Sequence, residues 1–525
     1  MTYDILITDG MVIDGTGKQR FLADIGIKDG LIHEIGVPKL AGAAAKVTIS
    51  AFGKFVAPGF IDITSHADQN GSLFLNPLQD YLLTQGVTSI LVGNCGSSLA
   101  PLVSEDSITA LKKWDQTGGA NINWASTQEL LDELARHPLG VNVGTLVGHG
   151  TIRRGITQGA TRPLTKEELA EFAGVLARSL TEGAFGLSTG LVYGHESAAT
   201  TDELVAIVRT VAERGGIYKT HLRHEGADLV PAVNEAIHIS REAKVPVIIS
   251  HLKAIGRRAW ASFPNILAMM ERAVEAGHAL QFDMSPYART GSFLYLMLPA
   301  WAREGGFDAM LGRIQDPAIR PEIIRELQRA TINAERYIVS GSSMLQGGHT
   351  LAAIARNTGH TVEETILELL LLNHGKVTIF GNVVSPRNIR DGILHPQGMV
   401  ASDGSGVSAE LERSGKIVHP RSTGAFPHFL HRFVRDKNIL SWEQAIAKIT
   451  SLPADAVGFA GRGRIAPRHR ADVVVFDPET IQDRSTYQTP FIHSTGVHTV
   501  IVNGAVAVAD GRATGTAAGQ VLRKS

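Results

Sequence analysis

From about residue 58 to residue 403 the chain repeats one pattern eight times: a short apolar run, most often closing in a Gly, Ser, His or Asp cluster, followed in several cases by a helical stretch. The runs are FVAPGFIDI, VTSILVG, NVGTLVG, GAFGLST, GIYKTH, VPVIISH, ALQFDM and GMVASD. Their brevity and their content of Val, Ile, Phe and Leu mark them as strands. The intervening stretches carry helix signals. In 165–182, Thr165 and Glu168 form a capping box ahead of an apolar pattern of helical period. Eight strands with helical crossovers predict an α/β fold, a (β/α)8 barrel of the TIM type. The same alternation also fits an open doubly wound sheet, though less well.

The ends of the chain read differently. Residues 1–57 contain short strands with turns expected at Asp9-Gly10, Asp14-Gly15 and Asp29-Gly30, and residues 464–525 contain ADVVVFD, HTVIVNG and AVAVADG. Together they predict one small β domain assembled from both termini around a barrel at 58–463. The stretch 285–377 separates the seventh and eighth runs and is expected to form an insertion beside the mouth of the barrel, with a helix at IRPEIIRELQRA. A length of 525 residues suits a large barrel with such an accessory domain.

Composition narrows the function. A formal net charge of −1 leaves no basic footprint for nucleic acid or an anionic membrane surface, and a single cysteine excludes an intrachain disulfide. The opening MTYDILITDGMVIDG lacks the basic start and apolar run of a signal peptide, and no apolar stretch is long enough to span a bilayer. The expectation is a soluble, cytoplasmic enzyme.

In a barrel enzyme, catalytic groups sit at the C-terminal ends of the strands. The runs here lead to His66, Cys95, His221, His251 and Asp403 at those ends. Taken singly, Cys95 also reads as a small core residue, the histidines as scaffold, and Asp403 as the start of a turn. Their joint placement on one barrel points instead to a metal site. A thiolate and imidazoles suit Zn²⁺, and three protein ligands with an open fourth position are the pattern of a catalytic zinc.

Longer motifs around these residues carry a resemblance. APGFIDITSHAD, QGVTSILVGNCGSSLAP, VGHGTIR, GAFGLSTGLVY, THLRHEG, ISHLK, ASDGSG and HPRSTGAFP, in this order, resemble the amidohydrolase superfamily and, within it, the N-acyl-D-amino-acid deacylase (D-aminoacylase) family. The closing GRIAPRHRADVVVFD and VIVNG resemble its terminal β domain. The resemblance spans essentially the whole chain. It implies that Cys95, His221 and His251 hold zinc, and that Asp403 is the general base toward the attacking water and then the acid toward the leaving amine. It implies substrate contacts for Lys253 and Arg421, the latter on a carboxylate, and for Tyr193 and Tyr287 near the scissile amide. The substrate it implies is a small N-acyl amino acid, with Val192 a candidate for the pocket wall. One departure stands out. The family's first strand carries His-x-His, whereas this chain reads Thr64-Ser65-His66. Threonine is a poor zinc ligand, so one zinc per chain is expected, with His66 a weak ligand or a partner of Asp403. Two rival readings are a cyclic-amide hydrolase of the same superfamily, hydantoinase-like, and a barrel kept for binding or assembly without catalysis. The cysteine motif speaks against the first, since those sites commonly use a carbamylated lysine. The joint retention of three ligands and a base speaks against the second.

Overall fold

The computed structural model describes residues 2–36, 40, 42–104, 122–330, 332–341 and 347–524. All eight runs contain strands, and seven parallel pairings link them in chain order. The third run is interrupted: Asn142–Thr145 pairs with the second strand, Val87–Val92, while Val147–Gly148 pairs with the fourth, Gly186–Gly190. The circuit closes between the first and last strands. His66 forms a parallel bridge to Ser405, and the Asp62 carboxylate accepts hydrogen bonds from the backbone N–H and hydroxyl of Ser402. Closure rules out the open doubly wound sheet.

The first run is two strands rather than one. Phe55–Pro58 pairs with Val473–Phe476 in the sheet of the chain ends, and only Phe60–Asp62 enters the barrel. Pro58-Gly59 separates them, where a proline without an N–H and a flexible glycine let the chain change sheets. Among the described residues the terminal sheet has nine strands, contributed by residues 3–58 and 473–513. Period-two alternation fixes how it packs. Val473 and Val475 enter the core of this sheet with Ile25 and Val56, whereas Val474 and Phe476 join the barrel core. Asp29-Gly30 is a hairpin turn with both φ values positive, 51° and 73°. Asp9-Gly10, in contrast, is no turn: it lies within Tyr3–Val12 as a bulge, its Asp9 N–H donating to Asp24.

The expected capping box is present, Thr165 and Glu168 bonding reciprocally at the start of the helix Lys166–Thr181. The insertion extends past residue 377, because Thr378–Asn382 is the middle strand of a three-stranded antiparallel sheet with Arg289–Phe293 and Tyr337–Val339. It has its own apolar core around Leu294, Met310, Leu351 and Ile366, and its helix Arg320–Arg329 occupies IRPEIIRELQRA. No helix among the described residues is long and apolar enough to cross a membrane.

A wholly buried lysine lies inside the barrel. Lys219 Nζ donates to Asp283 Oδ2 at 2.8 Å, Ser250 Oγ at 2.9 Å and Thr64 Oγ1 at 2.5 Å. Asp283 Oδ1 accepts the backbone N–H of His251 at 2.8 Å, so this charge pair also fixes one strand end. Removing one partner of a buried pair strands the other charge in a low dielectric. Lys219→Met is expected to destabilise the fold by about 3–5 kcal/mol in urea unfolding. A loss under about 1 kcal/mol would show that the ammonium contributes little to the barrel.

Candidate metal centre

Two of the candidate ligands and the candidate base leave their strand ends through an unusual backbone conformation, while His221 is the last residue of the strand Ile217–His221. Cys95, His251 and Asp403 all adopt positive φ, at 54°, 36° and 54°. For residues other than glycine this is strained, and such strain concentrates at functional sites. The turn carrying Cys95 depends on its glycines: a Cβ on Gly93 would lie 2.3 Å from the Leu146 carbonyl oxygen, and one on Gly96 would lie 2.0 Å from Glu196.

The resulting geometry fits a metal ion. Ligand atoms of Cys95, His221 and His251 all lie within 4.8 Å of one another, and all three residues are buried. Cys95 Sγ is 3.3 Å from His251 Nε2, and the two histidine rings meet edge to face at 4.4 Å. His251 presents Nε2 because its Nδ1 is engaged by Lys253 Nζ at 2.8 Å. Both ring nitrogens of His221 are buried without a hydrogen-bond partner among the described residues, a costly state that a bound metal ion would relieve at one of them. Burial pushes the Cys95 thiol up, but the imidazoles around it, His251 foremost, hold it well below the ordinary thiol range. A sulfur so poised is a thiolate, the form that binds zinc.

The other histidine of the cluster bridges two of its members. His66 Nε2 lies 3.8 Å from Cys95 Sγ and 3.4 Å from Asp403 Oδ1. Burial alone would lower its pKa, yet hydrogen bonding to Asp403 and Cys95 carries it up to about 10. Thr64 turns elsewhere, its oxygen accepting from the Lys219 ammonium inside the barrel. A second metal held jointly by Thr64 and His66 therefore does not fit these residues.

Asp403 faces the cluster and receives Arg421 Nη1 on Oδ2 at 2.7 Å. Burial raises its carboxyl pKa, while Arg421 and then His251 hold it well below the usual carboxylate range. Sequence reasoning passed over Glu225. Partly buried four residues after His221, it accepts from Lys253 Nζ at 2.6 Å and lies 3.6 Å from His221 Nε2 and 3.4 Å from His251 Nδ1. Against the effect of burial, Lys253 and His221 hold its carboxyl well below the ordinary range. It is the acid of THLRHEG, and spacing i, i+4 from a ligand histidine was the available signal.

These groups open onto a cavity of about 730 Å³, walled on its far side by the insertion. Val192, Tyr193, Lys253 and Arg421 line it together with the cluster. Tyr193 packs its ring edge to face on His221 at 5.4 Å, and burial holds its phenol well above its ordinary pKa. Tyr287 is placed differently. It stacks on His428 at 4.1 Å and borders a small void behind the site, shared with Lys253, Asp403 and Arg421, rather than the main cavity. Its hydroxyl is buried and has no hydrogen-bond partner among the described residues.

A closed barrel bearing thiolate and imidazole donors at its strand ends, with a carboxylate across from them, has the make-up of a metal-dependent hydrolase, and its relatives make it one that acts on carbon–nitrogen bonds. Comparison with known proteins agrees. A model of the amidohydrolase family matches residues 415–508. The D-aminoacylase of Alcaligenes xylosoxydans xylosoxydans is 32% identical over 525 residues, covering 100% of this chain and 98% of its own length. N-acyl-D-glutamate deacylase from the same organism is 33% identical over 503 residues, with 95% and 93% covered. The solved N-acyl-D-glutamate deacylase of Bordetella bronchiseptica, complexed with zinc and a phosphonate mimic of the tetrahedral intermediate, superposes with a TM-score of 0.84 at 31% identity over 100% of both chains. The chain belongs to the amidohydrolase family, in its D-aminoacylase branch.

Proposed function

We propose that this chain hydrolyses the linear amide of N-acyl-D-amino acids, releasing a carboxylate and the free amino acid, with one zinc ion held by Cys95, His221 and His251. The observation that carries the reading is the convergence of these three buried donors, with Asp403 facing them, at the mouth of one cavity. Zinc bound there supplies Lewis-acid polarisation of the amide carbonyl and acidification of water. A count of one rests on Thr64, whose hydroxyl is committed to Lys219.

Asp403 takes a proton from the attacking water and delivers it to the leaving nitrogen as the C–N bond breaks. Arg421 orients that carboxylate and uses its remaining N–H groups on the substrate carboxylate. Tyr193, whose phenol burial keeps protonated, stands against His221 on the wall of the cavity, beside the position of the scissile amide. Lys253 is steered by Glu225, which fixes the ammonium against His251 while leaving it on the cavity wall.

The test is amine release by zinc-loaded protein from matched N-acetyl-D- and N-acetyl-L-amino acids, alongside hydantoin and dihydrouracil. Turnover of the D-compounds with the L-compounds left intact is expected. Opening of the cyclic amides alone would replace this reading with the hydantoinase-like one. Inertness toward every substrate, with zinc in place, would leave a barrel that binds without catalysis.

A further inference from the structure

The run HPR that carries Arg421 holds another polar residue, His419, which the hydrolysis as described leaves unused. His419 is buried, and both nitrogens of its ring are engaged. Nδ1 accepts the backbone N–H of Arg421 at 3.0 Å. Nε2 lies 2.9 Å from the backbone carbonyl oxygen of Arg289 and 2.9 Å from the hydroxyl of Tyr487. A backbone N–H can only donate and a carbonyl can only accept, so these partners fix one tautomer, with Nδ1 bare and the proton on Nε2. Protonating the ring would set a second donor against the Arg421 N–H. Burial and the Arg421 guanidinium hold the ring well below the ordinary histidine pKa, outweighing the Arg289 carbonyl and Asp403.

Three parts of the chain meet at this ring. Arg289 opens the first strand of the insertion, Arg289–Phe293, and Arg421 opens the helix Arg421–Phe429. Tyr487 comes from the segment between the terminal strands Val473–Phe476 and Val497–Val502. Tyr487, Phe380 and Tyr287 surround the ring edge to face, at 5.1, 5.5 and 5.1 Å. Arg289 in turn lies over the Tyr487 ring at 4.7 Å. The insertion strand also approaches the Arg421 side chain directly, since a Cβ on Gly291 would lie 3.2 Å from Nη2. The guanidinium that meets Asp403 is thus placed from both sides, by its own backbone and by the insertion strand.

We propose that His419 is the positioning residue of Arg421. Its neutral ring ties the insertion strand to the start of the arginine's helix, and so sets where the guanidinium meets Asp403 and the substrate carboxylate. Such a tie matters because arginine has a long, flexible stem, while a carboxylate clamp must be held to within about 0.5 Å. The inference rests on the deacylase reading and adds to it the residue that fixes recognition of the carboxylate.

Two substitutions divide the ring's functions. In His419→Asn an amide oxygen near the Nδ1 position keeps the acceptor for Arg421; in His419→Gln an amide nitrogen near Nε2 keeps the donor for Arg289. Zinc-loaded wild type and both variants are compared on N-acetyl-D-alanine and N-acetyl-D-alaninamide, which lacks the carboxylate. The acid-to-amide ratio of kcat/KM is expected to fall about 10-fold in each variant, with zinc content unchanged. Misorientation of Asp403 slows both compounds alike and cancels in the ratio. An unchanged ratio accompanied by a lower Tm would make His419 a packing residue and overturn the proposal. Crystal structures of the three proteins decide independently of turnover. Arg421 Nη1 should remain on Asp403 Oδ2 in the wild type and leave it in the variants; the contact kept in both variants would overturn the proposal. If the wild type hydrolyses neither compound, the deacylase reading fails, and the crystallographic comparison still decides the role of His419.

Discussion

Asp403→Asn is expected to lower kcat by about 10²–10⁴-fold while zinc content and fold persist. The substitution nearly preserves shape and leaves an oxygen able to accept from Arg421, which now donates to Oδ2 at 2.7 Å. What disappears is the capacity to take a proton. Asp403 rests ionised, because Arg421 and His251 outweigh the effect of its burial, so it is available as a base in the resting enzyme. It is also not one of the clustered ligand donors, so metal should be retained. Steady-state turnover with zinc determined on the same preparations separates the two effects. Full activity in the variant would remove Asp403 from proton transfer; lost zinc would make it a ligand instead.

The strands of the barrel were legible because each is a short run of large apolar residues. Its closure was not. Closure depends on contacts between Asp62 and Ser402 and between His66 and Ser405, more than 330 residues apart, and periodicity carries no information at that range. Pro58-Gly59 within the first run was a visible warning that one apolar run held two strands. Asp9-Gly10 had the composition of a hairpin turn, yet the strand continued through it because Asp24 on the neighbouring strand supports the bulge.

The candidate site divides along similar lines. Cys95, His221, His251 and Asp403 could be found because a barrel concentrates chemistry at strand ends. Glu225 lies in a polar loop where its spacing from His221 is a faint signal, and its convergence on Lys253 and the two histidines in the folded chain gives it a role. Tyr287 stacks on His428 and borders a small void shared with Lys253, Asp403 and Arg421, a placement that its sequence neighbourhood does not reveal.

Cys95→Ala should empty the metal site. Of the three donors Cys95 alone is anionic, held as a thiolate by the imidazoles beside it, His251 foremost. Two histidines without the sulfur fall short of the three protein ligands that a catalytic zinc requires, and His66 is already engaged with Asp403. Zinc per chain is therefore expected to fall at least ~10-fold from about one, since even outer-shell changes cost that much affinity. Because Cys95 is the sole cysteine, a second readout is available on the wild type. Chelation should make one thiol per chain reactive toward alkylating reagents, and zinc should protect it. An unchanged metal content in Cys95→Ala, or a thiol equally reactive with and without zinc, would place the metal elsewhere and take Asp403 and the cavity geometry out of the reaction with it.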